Sequence, residues 1–246
     1  MKPKPEDLTN VLRRLSLTTF AQHYDDLGQE AARDGLSHVE YLRRLAEAET
    51  AARYERSVQR RTKAARLPVL KTLEQFDWAW PKKINRPQVQ DLFRLRFIEQ
   101  NTNVVFIAGV GLGKTHLAVA LAHSACLHNV STLFAPAVEI VNTLSAAQST
   151  NTLSKALKAY VAPRLLVIDE LGYLPMDKRG ADLLFQVISA RYERDPIIIT
   201  SNTAYKQWPP IFNNDATLTT AILDRLVHHC ETVTIEGKSY RMKDKA

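Results

Sequence analysis

The sequence predicts an α/β fold: a five-stranded parallel sheet between helices, preceded by a small all-α segment. Two observations predict the sheet. Five short apolar runs, at residues 104–108, 132–135, 165–168, 197–200 and 233–235, alternate with helix-period stretches at 115–128, 137–147, 179–194 and 218–229. The runs are continuously apolar rather than alternating, as strands buried on both faces are. Right-handed crossovers follow from such a topology, and ligands belong at the carboxyl ends of its strands.

A third observation predicts the all-α segment. Leu12, Leu15 and Leu17, then Phe20, Tyr24 and Leu27, recur at helical steps. Ser37 stands three residues before Glu40, a capping-box pattern. Neither Gly nor Pro interrupts the chain from His38 to Leu67, which predicts one long helix that Pro68 ends. Phe76, Trp78 and Trp80, followed by Pro81 and Pro87, read as a linker packed against the second domain. The expected division is a helical domain over 1–68, a linker and a helix leading into the core over 69–101, and the α/β core over 102–246.

The chain has 246 residues, 45% hydrophobic and 24% charged, enough to bury a core without covalent staples and too apolar for a disordered chain. No apolar run approaches the roughly 18 residues of a membrane span, so no membrane partner is expected. The charged start lacks the apolar stretch of a signal peptide. Two cysteines, Cys126 and Cys230, fit neither a disulfide framework nor a metal cluster, and read as thiols of a cytoplasmic protein. The net charge of +7 is concentrated: between positions 53 and 96 there are twelve Lys/Arg against four Asp/Glu. Such a belt fits a polyanion; the alternative is a solvated helix face.

Four motifs carry chemistry. After the first strand comes Ala108-Gly109-Val110-Gly111-Leu112-Gly113-Lys114-Thr115, opening a helix. It matches the phosphate-binding P-loop except that Ala108 replaces the first glycine. Backbone N–H groups of such a loop point at phosphate, and glycines let the main chain come close. Gly109 is expected to lend the flexibility that Ala108 lacks. Lys114 is placed to reach the β- and γ-phosphates, and the Thr115 hydroxyl to hold Mg2+. His116 follows directly; its ring belongs with the nucleotide-contacting loop, on the helix surface or against the sheet.

The second motif, Leu165-Leu166-Val167-Ile168-Asp169-Glu170, ends an apolar strand in two carboxylates. Asp169 is the expected Mg2+ ligand and Glu170 the base that polarises the attacking water. In the third, Ile197-Ile198-Ile199-Thr200-Ser201-Asn202, Asn202 is placed to sense the γ-phosphate; alternatively it closes an Asx turn. The fourth, Ala221-Ile222-Leu223-Asp224-Arg225-Leu226, offers Arg225 as an arginine finger on a neighbouring subunit's nucleotide, or as half of a surface pair. No Asn-Lys-x-Asp of a guanine reader occurs. Arg241 is a second arginine for the nucleotide in cis, or a tail anchor. His228 and His229, adjacent on a predicted helix, are expected to point apart and hold no metal.

In this order the motifs resemble an AAA+ ATPase. The wording Gly113-Lys114-Thr115-His116-Leu117-Ala118, Ile168-Asp169-Glu170-Leu171-Gly172-Tyr173, Arg191-Tyr192-Glu193, Thr200-Ser201-Asn202, Ala221-Ile222-Leu223-Asp224-Arg225-Leu226 and Gly237-Lys238-Ser239-Tyr240-Arg241 is similar to IstB-like transposition helper ATPases. The similarity continues upstream through the basic run and Ala64-Ala65-Arg66-Leu67-Pro68. DnaC-like helicase loaders share the ATPase core and are the near alternative. The resemblance implies a P-loop AAA+ core without the usual helical lid, and the short tail after Glu236 fits that expectation. It implies an ATPase using ATP and Mg2+ that forms a homo-oligomer on duplex DNA, remodels it and serves a cognate transposase. Carried over, Lys114, Thr115, Asp169, Glu170 and Asn202 serve nucleotide in cis and Arg225 the neighbour's. The DNA-contacting set expected on the basic helix is Arg53, Arg56, Arg60, Arg61, Lys63 and Arg66, which would follow phosphates with little sequence reading.

Overall fold

The computed structural model describes residues 7–240. It comprises two compact units, one reaching Arg60 and the other starting at Arg61. The first unit is helical: α1 (Leu8–Arg14), α2 (Thr18–Arg33) and α3 (His38–Ala64), which runs on into the second unit. The leucine spacing falls on two helices because Ser16 adopts a left-handed φ of 57° and turns the chain between them. Ser37 Oγ accepts the N–H of Glu40 at 3.2 Å, so the capping signal is realised.

No side chain of the N-cap residue caps α2. The buried Glu49 of α3 does so instead: its Oε2 accepts from the N–H of Thr19 at 2.7 Å and of Phe20 at 3.4 Å. A carboxylate there also meets the positive end of the helix dipole. Its other oxygen accepts from Arg53 Nε at 2.7 Å and Arg56 Nη2 at 3.2 Å.

In the second unit, α4 (Arg86–Leu92) and α5 (Arg96–Glu99) lead into β1 (Asn103–Ala108), α6 (Lys114–Leu127), β2 (Thr132–Pro136), α7 (Ala137–Ser149), α8 (Leu153–Val161), β3 (Leu165–Leu171), α9 (Lys178–Arg191), β4 (Ile197–Ser201), α10 (Ala216–Val227) and β5 (Cys230–Ile235). The strands form one parallel sheet in the order β2-β3-β4-β1-β5. Every expected run is a strand. Helix α8 is an addition that the sequence reading passed over; it is a short piece between the longer α7 and β3.

Strand periodicity sorts the core into two layers. Val104 and Phe106 face α6 together with Val89, Leu92 and Phe97 of α4 and α5. Val105 faces Ile140 and Leu144 of α7, Leu184 and Ile188 of α9, and Ile222 and Leu226 of α10. After β1 the chain crosses to the far edge at β2, with β3 and β4 filling the space between. That reversal opens a crevice at the carboxyl ends of β1, β3 and β4.

Candidate functional site

Strand β1 ends at Ala108, paired with Ile235 of β5. Ala108 has no left-handed φ, so an alanine fits there. Gly109 lacks one as well. The turning falls on Gly111 (φ 75°) and Gly113 (φ 86°). Space is tight at both: a Cβ on Gly111 would lie 2.1 Å from Ser239 Oγ, and one on Gly113 2.6 Å from Phe76 Cε2. The loop enters α6 at Lys114, whose Nζ donates to the carbonyls of Ala108 at 2.7 Å and Gly109 at 2.8 Å. The loop thus couples a helix N-terminus to an ammonium folded over it, a combination suited to phosphate.

Asp169 is buried near the end of β3. Its Oδ1 accepts from Thr115 Oγ1 of α6 at 2.9 Å and from Thr200 Oγ1 of β4 at 2.5 Å. The Thr200 hydroxyl also accepts the N–H of Glu170 at 2.9 Å. Glu170 itself has φ 60°, and the β3–β4 register shifts between Ile168 and Leu171. This local bulge sends the Glu170 side chain out of the sheet, where it is exposed and lines the crevice. Sequence reasoning missed Thr200. Its signal was a hydroxyl inside a wholly buried apolar run, where an unpartnered polar group is costly.

The crevice encloses about 650 Å³. Lys114, Thr115, Glu170 and Asn202 line its polar side, with Val110, Gly111, Leu112, Gly113 and His116. Phe76, Trp80 and Tyr240 line its aromatic side. The aromatic cluster expected as a packed linker therefore also walls the crevice: Phe76 is in the core, and Trp80 meets Tyr240 edge to face at 5.5 Å. The Tyr240 N–H donates to the Gly111 carbonyl at 2.9 Å, and Trp80 Nε1 to that of Lys238 at 2.9 Å. His116 Nε2 lies 2.9 Å from the Thr72 carbonyl. Burial lowers the pKa of this imidazole, and a carbonyl partner requires the proton on Nε2.

Arg225 lies elsewhere. Its guanidinium stacks on the Phe185 ring of α9 at 4.9 Å, and Nη1 donates to the Ala221 carbonyl at 3.0 Å. Arg241 lies outside the described residues. The basic residues of α3 do not share one environment. Arg53 and Arg56 converge on Glu49, and Arg53 Nη2 also donates to the Ser16 carbonyl at 2.8 Å. Arg60 and Lys63 are exposed. Arg61 Nε donates to the Cys126 carbonyl at 2.9 Å, and Arg61 and Arg66 line a second cleft of about 530 Å³ beside β2. His228 and His229 depart from expectation: their ring centroids are 4.2 Å apart. His228 caps α10 with helical dihedrals and its N–H still donates to the Asp224 carbonyl at 3.2 Å, so the two rings approach by side-chain orientation at the end of the helix.

Thr115 and Asp169 together present a hydroxyl and a carboxylate, an all-oxygen donor pair that fits a hard divalent cation such as Mg2+. No helix among the described residues is long and apolar enough to cross a membrane.

The strand order, the loop after β1 and the carboxylates at the end of β3 define a P-loop domain of the AAA+ class. The chain belongs to the family of IstB-like ATP binding proteins, whose sequence profile matches residues 10–246. It is 40% identical over 239 residues to the protein named for ATP binding in insertion sequence IS21 of Pseudomonas aeruginosa, covering 97% of this chain and 90% of that relative. It is 38% identical over 240 residues to the corresponding protein of IS5376 from Geobacillus stearothermophilus, covering 98% and 95%. Among solved structures it is similar to DnaI, with TM-score 0.58 and 20% identity over 70% of this chain and 93% of that one. It is also similar to the DnaC helicase loader, with TM-score 0.54 and 20% identity over 67% and 96%. At such identities the structural likeness speaks of the fold alone.

Proposed function

We propose that this chain is the ATP-hydrolysing helper of a transposase in the cytoplasm, assembling as a homo-oligomer on duplex DNA and remodelling it. The observation that carries the ATPase reading is that Lys114, Thr115, Glu170 and Asn202 line one crevice beside the Gly111–Gly113 turn, with the buried Asp169 hydrogen-bonded to Thr115. The insertion-sequence relatives, similar along nearly the whole chain, support the transposition setting.

In this reading the loop N–H groups and Lys114 hold the triphosphate. The Lys114 contacts with the Ala108 and Gly109 carbonyls give way to phosphate oxygens. Thr115 and Asp169 hold Mg2+, which supplies charge neutralisation on the phosphates when bound. Glu170 accepts a proton from the attacking water, and Asn202 orients the γ-phosphate. Phe76, Trp80 and Tyr240 offer ring faces and edges to the base. Arg225 acts on the nucleotide of a neighbouring subunit, which fits its place outside the crevice of its own chain.

The test is particle mass by light scattering, for the chain alone, with ATP and Mg2+, with duplex DNA, and with both, alongside phosphate release. A large assembly appearing only with both ligands, and turnover lost in Lys114→Ala, is the expected result. A mass indifferent to DNA overturns the DNA-assembly reading, and turnover equal to that of Lys114→Ala overturns the ATPase reading.

A further inference from the structure

At the amino-terminal ends of the strands, the edge remote from the nucleotide crevice, two turns bring a carboxylate and two imidazoles together. Glu193 follows α9 with a left-handed φ of 57°, and His228 and His229 link α10 to β5. One ligand atom from each of the three lies within 4.8 Å of the others, and all three side chains are exposed. Glu193 Oε1 is 3.6 Å from His228 Nδ1, which also meets the Tyr192 hydroxyl at 3.1 Å.

The backbones of both turns are pinned to the start of β1. Asn101 Nδ2 donates to the Glu193 carbonyl at 3.2 Å. The Asn103 N–H donates to the His229 carbonyl at 2.8 Å, and its Nδ2 to that of Leu226 at 3.0 Å. Asn103 Oδ1 accepts the N–H of Ile197, the first residue of β4, at 2.9 Å. The separation of the two turns is therefore fixed by the sheet, while the three side chains are exposed and held only by contacts among themselves and with Tyr192.

We propose that Glu193, His228 and His229 form a binding site for a borderline transition-metal ion, Zn2+ foremost. Two imidazoles and a carboxylate are nitrogen and oxygen donors of the kind Zn2+ takes in three-ligand sites, with water in the fourth position. Tetrahedral bonds of about 2.1 Å put ligand atoms about 3.4 Å apart. Glu193 and His228 stand at 3.6 Å and all three ligand atoms lie within 4.8 Å of one another, so rotations of the exposed side chains bring the set to that spacing. His228 Nδ1 has one site for a partner, so an ion bound there takes the place of the Tyr192 hydroxyl contact. A bound ion clips the end of α9 to the α10–β5 junction and so raises thermal stability without touching the nucleotide crevice. Cu2+ and Ni2+ compete for the same donors.

The test uses the full chain, stripped with a chelator and titrated with Zn2+ against a fluorescent indicator in the absence of nucleotide. One ion per chain is expected, with affinity in the micromolar range or tighter. Glu193→Gln and His229→Ala each weaken it by at least about tenfold, and the paired change of His228 and His229 to Ala abolishes it. Co2+ serves as a second probe, through the visible absorption of a four-coordinate site. Circular dichroism checks that the variants fold, and fluorescent-nucleotide binding is expected to be unaltered in them. Zn2+ bound equally well by the paired histidine variant overturns the assignment, since the ion then sits elsewhere. Wild-type affinity no tighter than millimolar overturns it as well.

Discussion

Thr200 donates its hydroxyl to Asp169 at 2.5 Å, from one strand to the next. Through the same oxygen it accepts the main-chain N–H of Glu170 at 2.9 Å. One side chain thus holds both carboxylate-bearing residues at the end of β3. Thr200→Val keeps the shape and removes both bonds. The expected outcome is a drop in turnover of about tenfold to a hundredfold, the usual cost of losing an outer-shell partner, with nucleotide affinity kept within about threefold. Phosphate release and fluorescent-nucleotide titration read the two separately. Unchanged turnover would show that Asp169 and Glu170 hold their places without Thr200.

Glu170 and Arg225 are expected to act in different subunits. Glu170 lines the crevice of its own chain, whereas Arg225 rests on Phe185 away from it. Glu170→Gln and Arg225→Ala should each retain ATP binding and lose about 10²-fold or more in turnover. Mixing the two variants restores part of the activity, because some interfaces then pair an intact Glu170 with an intact Arg225. Mixtures no more active than the separate variants would argue against a shared site. The Glu170→Gln protein should also stay on DNA longer than wild type, as ATP left intact keeps bridging subunits.

Removing the cations of α3 should lower DNA affinity without changing sequence preference. Arg60 and Lys63 are exposed, while Arg56 shares Glu49 with Arg53. The triple change of Arg56, Arg60 and Lys63 to Ala should weaken binding equally on unrelated duplexes. Each lost phosphate contact flattens the log–log salt dependence by about 0.9. Anisotropy over a salt series measures it. A loss confined to one sequence would contradict phosphate tracking.

Acid should melt the helical unit through Glu49. Burial by itself would raise the pKa of this carboxyl, but the bonds from Arg53 and from the N–H groups of Thr19 and Phe20 outweigh it and hold the value below the usual range. A depressed folded pKa means that the stabilisation is present above the ordinary carboxylate value, about 4.3 for Glu. It is lost as pH falls through the folded value. Helix melting followed by circular dichroism should show an acid-side loss in wild type that is flatter in Glu49→Gln. Parallel curves would remove Glu49 from the account.

Most of the sheet was legible because buried parallel strands are continuous apolar runs, and the P-loop because its glycines answer a backbone demand. What stayed hidden were relationships across the sheet. Thr200 reads as an ordinary strand residue until β4 is set beside β3. Trp80 and Tyr240 are far apart in sequence and meet only because the segment after β5 returns to the loop at Gly111. The approach of the two histidine rings depends on side-chain orientation at the end of α10, which residue spacing does not determine. In α3 the charge count was visible, but the buried Glu49 that engages two of the arginines was not distinguishable from any other acid on a helix.

Arg191 offers a test of how the sheet is held beneath the site. It is buried at the end of α9. Nη1 donates to the carbonyls of Tyr160, Val161 and Pro163 at 3.0, 3.2 and 2.8 Å. Nη2 donates to those of Arg164 and Pro196 at 3.2 and 3.0 Å. One guanidinium therefore joins the end of α8, the turn into β3 and the residue before β4. Burial lowers its pKa to about 10, so it remains charged at neutral pH. Methionine matches much of its length but donates nothing, and leaves several buried carbonyls without this donor. At about 1–3 kcal/mol for each group left unsatisfied, the loss in Arg191→Met should reach at least about 3 kcal/mol. For a chain of this size that is a fall in melting temperature of about 6–12 °C. Lysine keeps the charge but cannot reproduce the planar fork, so Arg191→Lys should fall between methionine and wild type. A methionine variant melting within a degree or two of wild type would mean that other donors satisfy these carbonyls, and that the fork is not what ties α8, β3 and β4 together.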